Sequence, residues 1–414
     1  MVKHSHIVLI VSITLAACNS GKNKKSFTGT DTSSSVRTVV PPPPEILPDD
    51  GQVGVKKGPV FVFKNRGFEL FSGGAGMGKK YAGVINMYSR LKIPGLKIYN
   101  LIIPNAFEFE VTEKYKHLIT SAKVAINSVF AAEDPEIIKV NPVDEIRKHR
   151  TEYIYFNTDH HWTSLGAYYA YRAFCASSGL APISLDNIPS KVKPGFLGFL
   201  YRVSRAAALK NNPDSVRYYL FPDSTDFYIG SNSIGYWAPS HMYAEQVSGD
   251  NSYSVFLQGD LPICKMETQH KNGRRIALVK ESYGNAFAPF LINNYEKVIV
   301  VDQRSYKGDF ITMLKTEGIN ELLFINNIFA AHTQFHIDDI KGLLMKGEKK
   351  YFIILNFFAP RLLWVLILWC IYHRWHSPHF SGSDSNLLLG FFYAIYRSVC
   401  PASFYNRLYI PHQS

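Results

Sequence analysis

Hydrophobic positions along the chain change period several times, and those changes divide it into elements. Val60–Phe63 (Val-Phe-Val-Phe) reads as a first strand. Residues 79–92 then place Tyr81, Val84, Ile85, Tyr88 and Leu91 at helical spacing. Leu96–Ile103 is a strand, and Tyr115–Phe130 is an amphipathic helix carrying Leu118, Ile119 and Val129. After a short strand at Ile154–Phe156, the clearest alternation comes late. A strand at Ile276–Lys280, a helix at 285–294, a strand at Val298–Val301, a helix at 308–317 and a strand at Leu322–Ile325 follow one another. Such alternation predicts an α/β fold with a parallel central sheet. Residues 190–255 are rich in Tyr, Asn, Ser and Pro with weak periodicity, and read as irregular insertions that shape a substrate surface.

The two ends have a different character. Lys3 and His4 precede the apolar run Ile7–Thr14, which is too short to span a bilayer but suits a signal-peptide core. Leu15-Ala16-Ala17-Cys18 follows, and this tetrad resembles the lipobox of bacterial lipoproteins. Residues 1–18 are therefore expected to be a lipoprotein signal peptide, with Cys18 lipidated and holding an exported chain on the membrane. Residues 19–58 are a Lys-, Ser-, Thr-, Gly- and Pro-rich tether that includes Pro41–Pro44. The folded body is placed at 59–345, and 346–414 form an apolar, aromatic tail. Within it, 351–372 carry only one charge, Arg361. The length permits a membrane span, whereas Pro360 and Arg361 at its middle suit a helix lying on the membrane or packed on the body. The pattern does not choose between them.

Composition narrows the function. Of 414 residues, 46% are hydrophobic and 19% charged, which suits a packed core rather than disorder. The formal charge is +12, but the lysines and arginines are scattered and no nucleic-acid motif is present. An anionic envelope polymer or lipid surface fits that charge better. Cys175 and Cys264 are candidates to pair in an exported chain, although spacing alone does not fix connectivity. No Cys-x-x-Cys pattern exists, so a sulfur-held metal is not expected, and no cofactor is implied.

The densest chemistry lies in Tyr155-Phe156-Asn157-Thr158-Asp159-His160-His161-Trp162-Thr163-Ser164. If the segment is extended, Asp159 and His161 point the same way, so the carboxylate can hold one ring nitrogen and leave the other as a base. His160 then projects to the other side as a packing residue. Trp162 is expected to anchor the turn, and Thr163 to cap the helix that follows. Ser282, in Lys280-Glu281-Ser282-Tyr283-Gly284-Asn285, sits between a strand and a helix, where open α/β sheets build their sites. Gly284 permits close backbone approach, and helix-terminal N–H groups together with Asn285 are candidates to hold an oxyanion. Arg304, after the next strand, is a candidate to bind an anionic sugar or fix the acyl oxygen, or else to pair with Asp302 or Asp309.

The segment Tyr155–Tyr171 resembles the DHHW protein family, named for Asp159-His160-His161-Trp162. Lys280–Leu291 and Val298–Tyr306 resemble the family's nucleophile and arginine blocks. The family is similar to the SGNH-hydrolase-like domains of alginate O-acetylation proteins, in which a D-x-H-W segment precedes the serine. The resemblance implies a flavodoxin-like three-layer domain with Asp159 as orienter, His161 as base and Ser282 as nucleophile. The implied activity is acetyl transfer or ester hydrolysis on a cell-surface glycan or other acylated polymer, with a membrane-bound acyltransferase as a possible partner. The competing expectation is a non-catalytic glycan-binding or assembly protein with a vestigial triad. The chain departs from ordinary SGNH enzymes in lacking an N-terminal Gly-Asp-Ser block, and only Gly259 suggests a separate oxyanion glycine.

Three other patterns are weaker. Gly73–Lys80 nearly spells a phosphate-binding loop but has Lys80 where Ser or Thr is required, and reads as a turn before the 79–92 helix. His332, His336 and Asp338 lack the zinc-protease pattern and read as surface polar residues. Asp159, His160 and His161 are ligand types, but the two histidines are adjacent and no further ligand of sensible spacing joins them from elsewhere.

Overall fold

The computed structural model describes residues 47–345, apart from 223 and 234. The expected signal peptide with Cys18, most of the expected tether and residues 346–414 lie outside the described residues. Among the described residues no helix is long and apolar enough to cross a membrane.

The strands run in chain order as β1 (Val55–Lys57), β2 (Val60–Phe63), β3 (Arg66–Glu69), β4 (Lys97–Ile103), β5 (Ile138–Val140), β6 (Ser190–Phe196), β7 (Asp214–Tyr219), β8 (Thr225–Gly230), β9 (Trp237–Ser240), β10 (Ile263–Thr268), β11 (Arg275–Lys280), β12 (Lys297–Asp302) and β13 (Glu321–Asn327). Eight of them form the main sheet, in the order β5-β4-β13-β11-β12-β10-β8-β9. From β5 to β12 every pairing is parallel. The last three strands add antiparallel. β11 and β13 read Ile-Ala-Leu-Val and Leu-Leu-Phe-Ile through their centres and are buried there, as strands covered on both faces must be. β10 enters from the 190–255 segment without a crossover helix, so it runs antiparallel. The fold is a mixed α/β one built on a large, mostly parallel central sheet.

β2 is a strand, but of a separate three-stranded sheet with β1 and β3. Its Phe61, Phe63 and Phe68 pack with Phe107 and Val111 as a second small core. The 190–255 segment is more regular than its composition suggests. β6 and β7 pair as a ribbon, β8 and β9 extend the main sheet, and a short helix spans Phe199–Ser204. β7 alternates buried Asp214, Val216 and Tyr218 with exposed Ser215 and Arg217. A carboxylate at the first buried position is what hides the period.

Helix ends follow local chemistry. The first long helix is Ala75–Ser89, so the glycine-rich run is its opening turns rather than a turn before it. The 115–130 helix is broken into a 3-10 turn, Glu113–Leu118, and a helix, Ala122–Ala131, which Ser121 caps through Val124 N. The 285–294 helix is four residues, Gly284–Phe287, then a 3-10 turn with Pro289 at its start, where a missing N–H is tolerated. Asp309 caps Phe310–Thr316, accepting from Thr312 N at 3.0 Å.

Cys175 and Cys264 do not pair; both are free and buried. Cys175 lies on the helix Ser164–Ser178 and Cys264 in β10, so each packs into a different part of the core. Burial pushes the two thiols up to about 11 and about 12. His332 is likewise no surface residue: it is buried, its Nδ1 lies 2.9 Å from Ile328 O, and its ring meets Phe71 edge-on.

Candidate active site

Ile154–Thr163 folds into a tight hairpin, with an isolated bridge at Tyr155 in place of the expected Ile154–Phe156 strand and the turn where it was expected. Tyr155 bridges Trp162, Phe156 N donates to His161 O at 3.2 Å, and Thr163 N to Ile154 O at 2.9 Å. Asp159 sits at the tip. Its Oδ1 accepts from His161 N at 3.0 Å and meets His161 Nδ1 at 2.5 Å, while Oδ2 accepts from Phe199 N at 2.7 Å. Thr163 caps the helix Ser164–Ser178 through Gly166 N.

On the neighbouring turn, Ser282 is half-buried just beyond β11. Its Oγ lies 2.7 Å from His161 Nε2. Serine and imidazole, 121 residues apart in the chain, form one continuous hydrogen-bonded line with the carboxylate two residues before the histidine. Burial alone would raise the Asp159 carboxyl. The charges of His160 and His161, with hydrogen bonds from His161 and the Phe199 amide, outweigh it and hold the group well below the ordinary carboxylate range.

Several neighbours differ from expectation. His160 does not project away; its ring lies 4.0 Å from that of His161 and meets Phe199 edge-on. Trp162 is fully buried, and its Nε1 donates to Tyr283 O at 3.0 Å, which ties the hairpin to the serine turn. Gly284 does make a close approach, since a Cβ there would lie 2.5 Å from Lys280 Cβ. Its N–H, however, is spent on Glu281 O, and that of Asn285 on Ser282 O, because the turn closes on itself. The Gly259 N–H is spent on Phe256 O. Asn285 Nδ2 gives one hydrogen to Asp260 Oδ1 at 2.8 Å, and its second finds no partner among the described residues.

Arg304 pairs with Asp302 and Asp260 rather than Asp309. Lys280, buried at the end of β11, also reaches Asp302 at 2.8 Å and Asp260 at 3.3 Å. Burial would raise Asp260, but Lys280 and Arg304 bring it down to about 2. Two cations thus face two carboxylates, and Arg304 is paired within the protein. Its bond to Asp260 fixes the oxygen pair that orients Asn285.

Four contributors escaped the sequence reading. Glu281 is 3% exposed; its Oε2 accepts from Ser282 Oγ at 3.3 Å and Tyr283 N at 3.1 Å, and its Oε1 from Asn327 N at 2.9 Å. Burial raises its carboxyl, against the pull of those amides and of Arg304 and Lys280. Asp214 accepts from Asn157 N, Thr158 N and Thr158 Oγ1 at 2.6–2.7 Å, and from Tyr153 Oη, so it pins the hairpin's entry. Tyr253 stacks on His161. Gly198 passes so near Asp159 that a Cβ would sit 2.2 Å from Asp159 Cβ. An acidic residue directly before the serine was the one signal available beforehand. The other three come from residues 190–255.

Asp159, His160 and His161 present ligand-type atoms within 4.8 Å of one another. Both Asp159 oxygens are occupied and both His161 nitrogens are engaged, so an ion held there would have to break the Ser–His–Asp line.

No curated protein matches the chain. Among solved structures, it is similar to a DHHW family protein from Eubacterium siraeum, with 30% identity, covering 71% of this chain and 98% of that one, at a TM-score of 0.66. It is similar in fold to Bacillus cereus PatB1, with 17% identity, covering 69% of this chain and 99% of that one, at a TM-score of 0.54; a second PatB1 structure carries a sulfonyl adduct. The O-acetyltransferase domain of Pseudomonas putida AlgJ matches at 13% identity, covering 70% of this chain and 99% of that one, with a TM-score of 0.39. The DHHW protein family matches residues 47–301, and the chain belongs to that family.

Proposed function

We propose that this protein is a cell-envelope acyltransferase or esterase acting on acetyl groups of a glycan, with Ser282 as nucleophile, His161 as base and Asp159 as orienter. The observation that carries the reading is the 2.7 Å contact between His161 Nε2 and Ser282 Oγ, with Asp159 on the far nitrogen of the same ring. Ser282 Oγ bonds to the acyl carbonyl carbon while His161 takes the hydroxyl proton. The tetrahedral intermediate collapses as the ester bond to the leaving alcohol breaks, and His161 returns the proton to that oxygen. Water or a sugar hydroxyl then attacks the acyl-serine by the same steps. Asp159 holds the tautomer and balances the imidazolium. The free amide hydrogen of Asn285, oriented by Asp260 and Arg304, is the candidate oxyanion donor.

The choice of acetyl and glycan rests on the resemblance of the hairpin to alginate-acetylation domains. The sulfonyl adduct carried by PatB1 makes sulfonyl reagents a natural probe for this chain. Export, attachment through a Cys18 lipid, and a membrane-bound acyltransferase as donor complete the proposal.

A serine-directed fluorophosphonate probe tests it. Labelling that maps to Ser282 and vanishes in Ser282→Ala supports the enzyme. Equal labelling of both proteins, or none, supports a binding or assembly protein that keeps the three residues without turnover.

A further inference from the structure

In the proposed reaction His161 is the group that changes charge, and its ring lies in an aromatic enclosure. Tyr253 is stacked on it with centroids 4.0 Å apart and planes 13° from parallel. Tyr283, at 4.9 Å and 51°, and His160, at 4.0 Å and 34°, also pack against it. Tyr253 is buried, and its hydroxyl donates to the carbonyl of Ser282 at 3.0 Å. One side chain therefore touches both reacting residues, its face on the base and its hydroxyl on the nucleophile's backbone.

A neutral imidazole gains little from the quadrupole of a stacked phenol ring, whereas an imidazolium is attracted to its negative face. That attraction grows only as the proton arrives on His161, so it favours the transition state over the ground state. Both rings are buried, and a desolvated cation–π contact lies toward the strong end of its range. We propose that Tyr253 is a positioning residue that stabilises the charged form of His161 during proton transfer and fixes the Ser282 turn beneath it. The inference rests on the reading of Ser282 as nucleophile and His161 as base. It goes beyond that reading by assigning a role to the 3-10 turn Gly249–Val255.

The test uses the full chain and phenylmethylsulfonyl fluoride. As Ser282 Oγ bonds to sulfur, the S–F bond breaks, fluoride leaves with the electron pair, and His161 takes the proton. Rates of adduct formation, followed by intact mass against reagent concentration, separate the limiting rate from the half-saturating concentration. Tyr253→Phe keeps the stacked face and is expected to hold the limiting rate within about threefold. Tyr253→Leu removes the face and should lower it roughly thirtyfold, about 2 kcal/mol, at an unchanged half-saturating concentration. Removing a buried ring can unfold a protein, so a second series keeps the shape. Phenylalanine, difluorophenylalanine and pentafluorophenylalanine at 253 weaken the quadrupole stepwise, and the limiting rate should fall in that order. Equal rates for Tyr253→Leu and Tyr253→Phe, or a fluorination series with no trend, overturn the inference while leaving the nucleophile in place. A wild type that forms no Ser282 adduct overturns both.

Discussion

The turn at 157–163 and the turn at 280–285 each deliver one partner of the His161–Ser282 contact, and they are held in different ways. The serine turn is an extension of the sheet. β11 is hydrogen-bonded on both sides, and Glu281 links the turn to Asn327 at the end of β13. The histidine turn hangs off the sheet and is held from outside, by Asp214 on β7 and by the amides of Gly198 and Phe199. A serine placed at the end of a central parallel strand takes its main support from the sheet, with Glu281, Trp162 and Tyr253 adding to it. A histidine carried on a hairpin tip needs a second layer of structure to fix it. The carboxylates show the same contrast: Asp159 is stabilised in its charged form, and Glu281 is buried at a cost to its charged form.

Substitutions that cut each support sharpen the comparison. Asp159→Asn removes the charge that balances the imidazolium and should lower the rate of Ser282 acylation on the order of 10³-fold, read by stopped-time mass spectrometry. Asp214→Ala leaves several buried donors unpaired at the base of the hairpin and should lower unfolding free energy by about 3–5 kcal/mol in urea titration. A change under about 1 kcal/mol there would mean the hairpin is held by something else. Glu281→Gln disturbs a turn that the sheet already fixes, so its acylation rate should fall only about tenfold, or roughly 1.4 kcal/mol. A larger loss than for Asp159→Asn would reverse the comparison.

Acid titration gives the smallest and most specific contrast. The folded Asp159 value is depressed below its ordinary 3.8, so its contribution to stability is present above that pH and is lost as pH falls through the folded value. The Glu281 value is raised above its ordinary 4.5, so ionising it costs stability as pH rises past that point. Asp159→Asn should therefore flatten the acid limb of the stability curve below about pH 4, and Glu281→Gln should flatten a shallower slope of opposite sign above about pH 4.5. Identical curves for both variants would show that the two carboxylates are not opposed.

The parts legible in the sequence were those whose chemistry and period coincide. Ile276–Lys280 announced a buried strand, Thr163 a helix cap, and Asp159, His161 and Ser282 a carboxylate, an imidazole and a hydroxyl that the structure brings into hydrogen-bonding distance. Supports supplied from far along the chain stayed hidden. Asp214 looks like a break in a strand until its four donors are seen, and Tyr253 is one of 25 tyrosines. Gly198 is required only because Asp159 lies against it. Of the expected oxyanion donors, the backbone N–H groups of Gly284 and Asn285 are consumed by the turn itself, because a turn this tight closes on its own carbonyls.

The most direct measurement exposes the full chain to an activated acetyl ester and locates any covalent acetyl group by peptide mapping. The account predicts one acetyl on Ser282 that is absent in His161→Ala. Acetylation of Ser282 at the same rate in His161→Ala, or acetyl groups only on surface lysines, would contradict it.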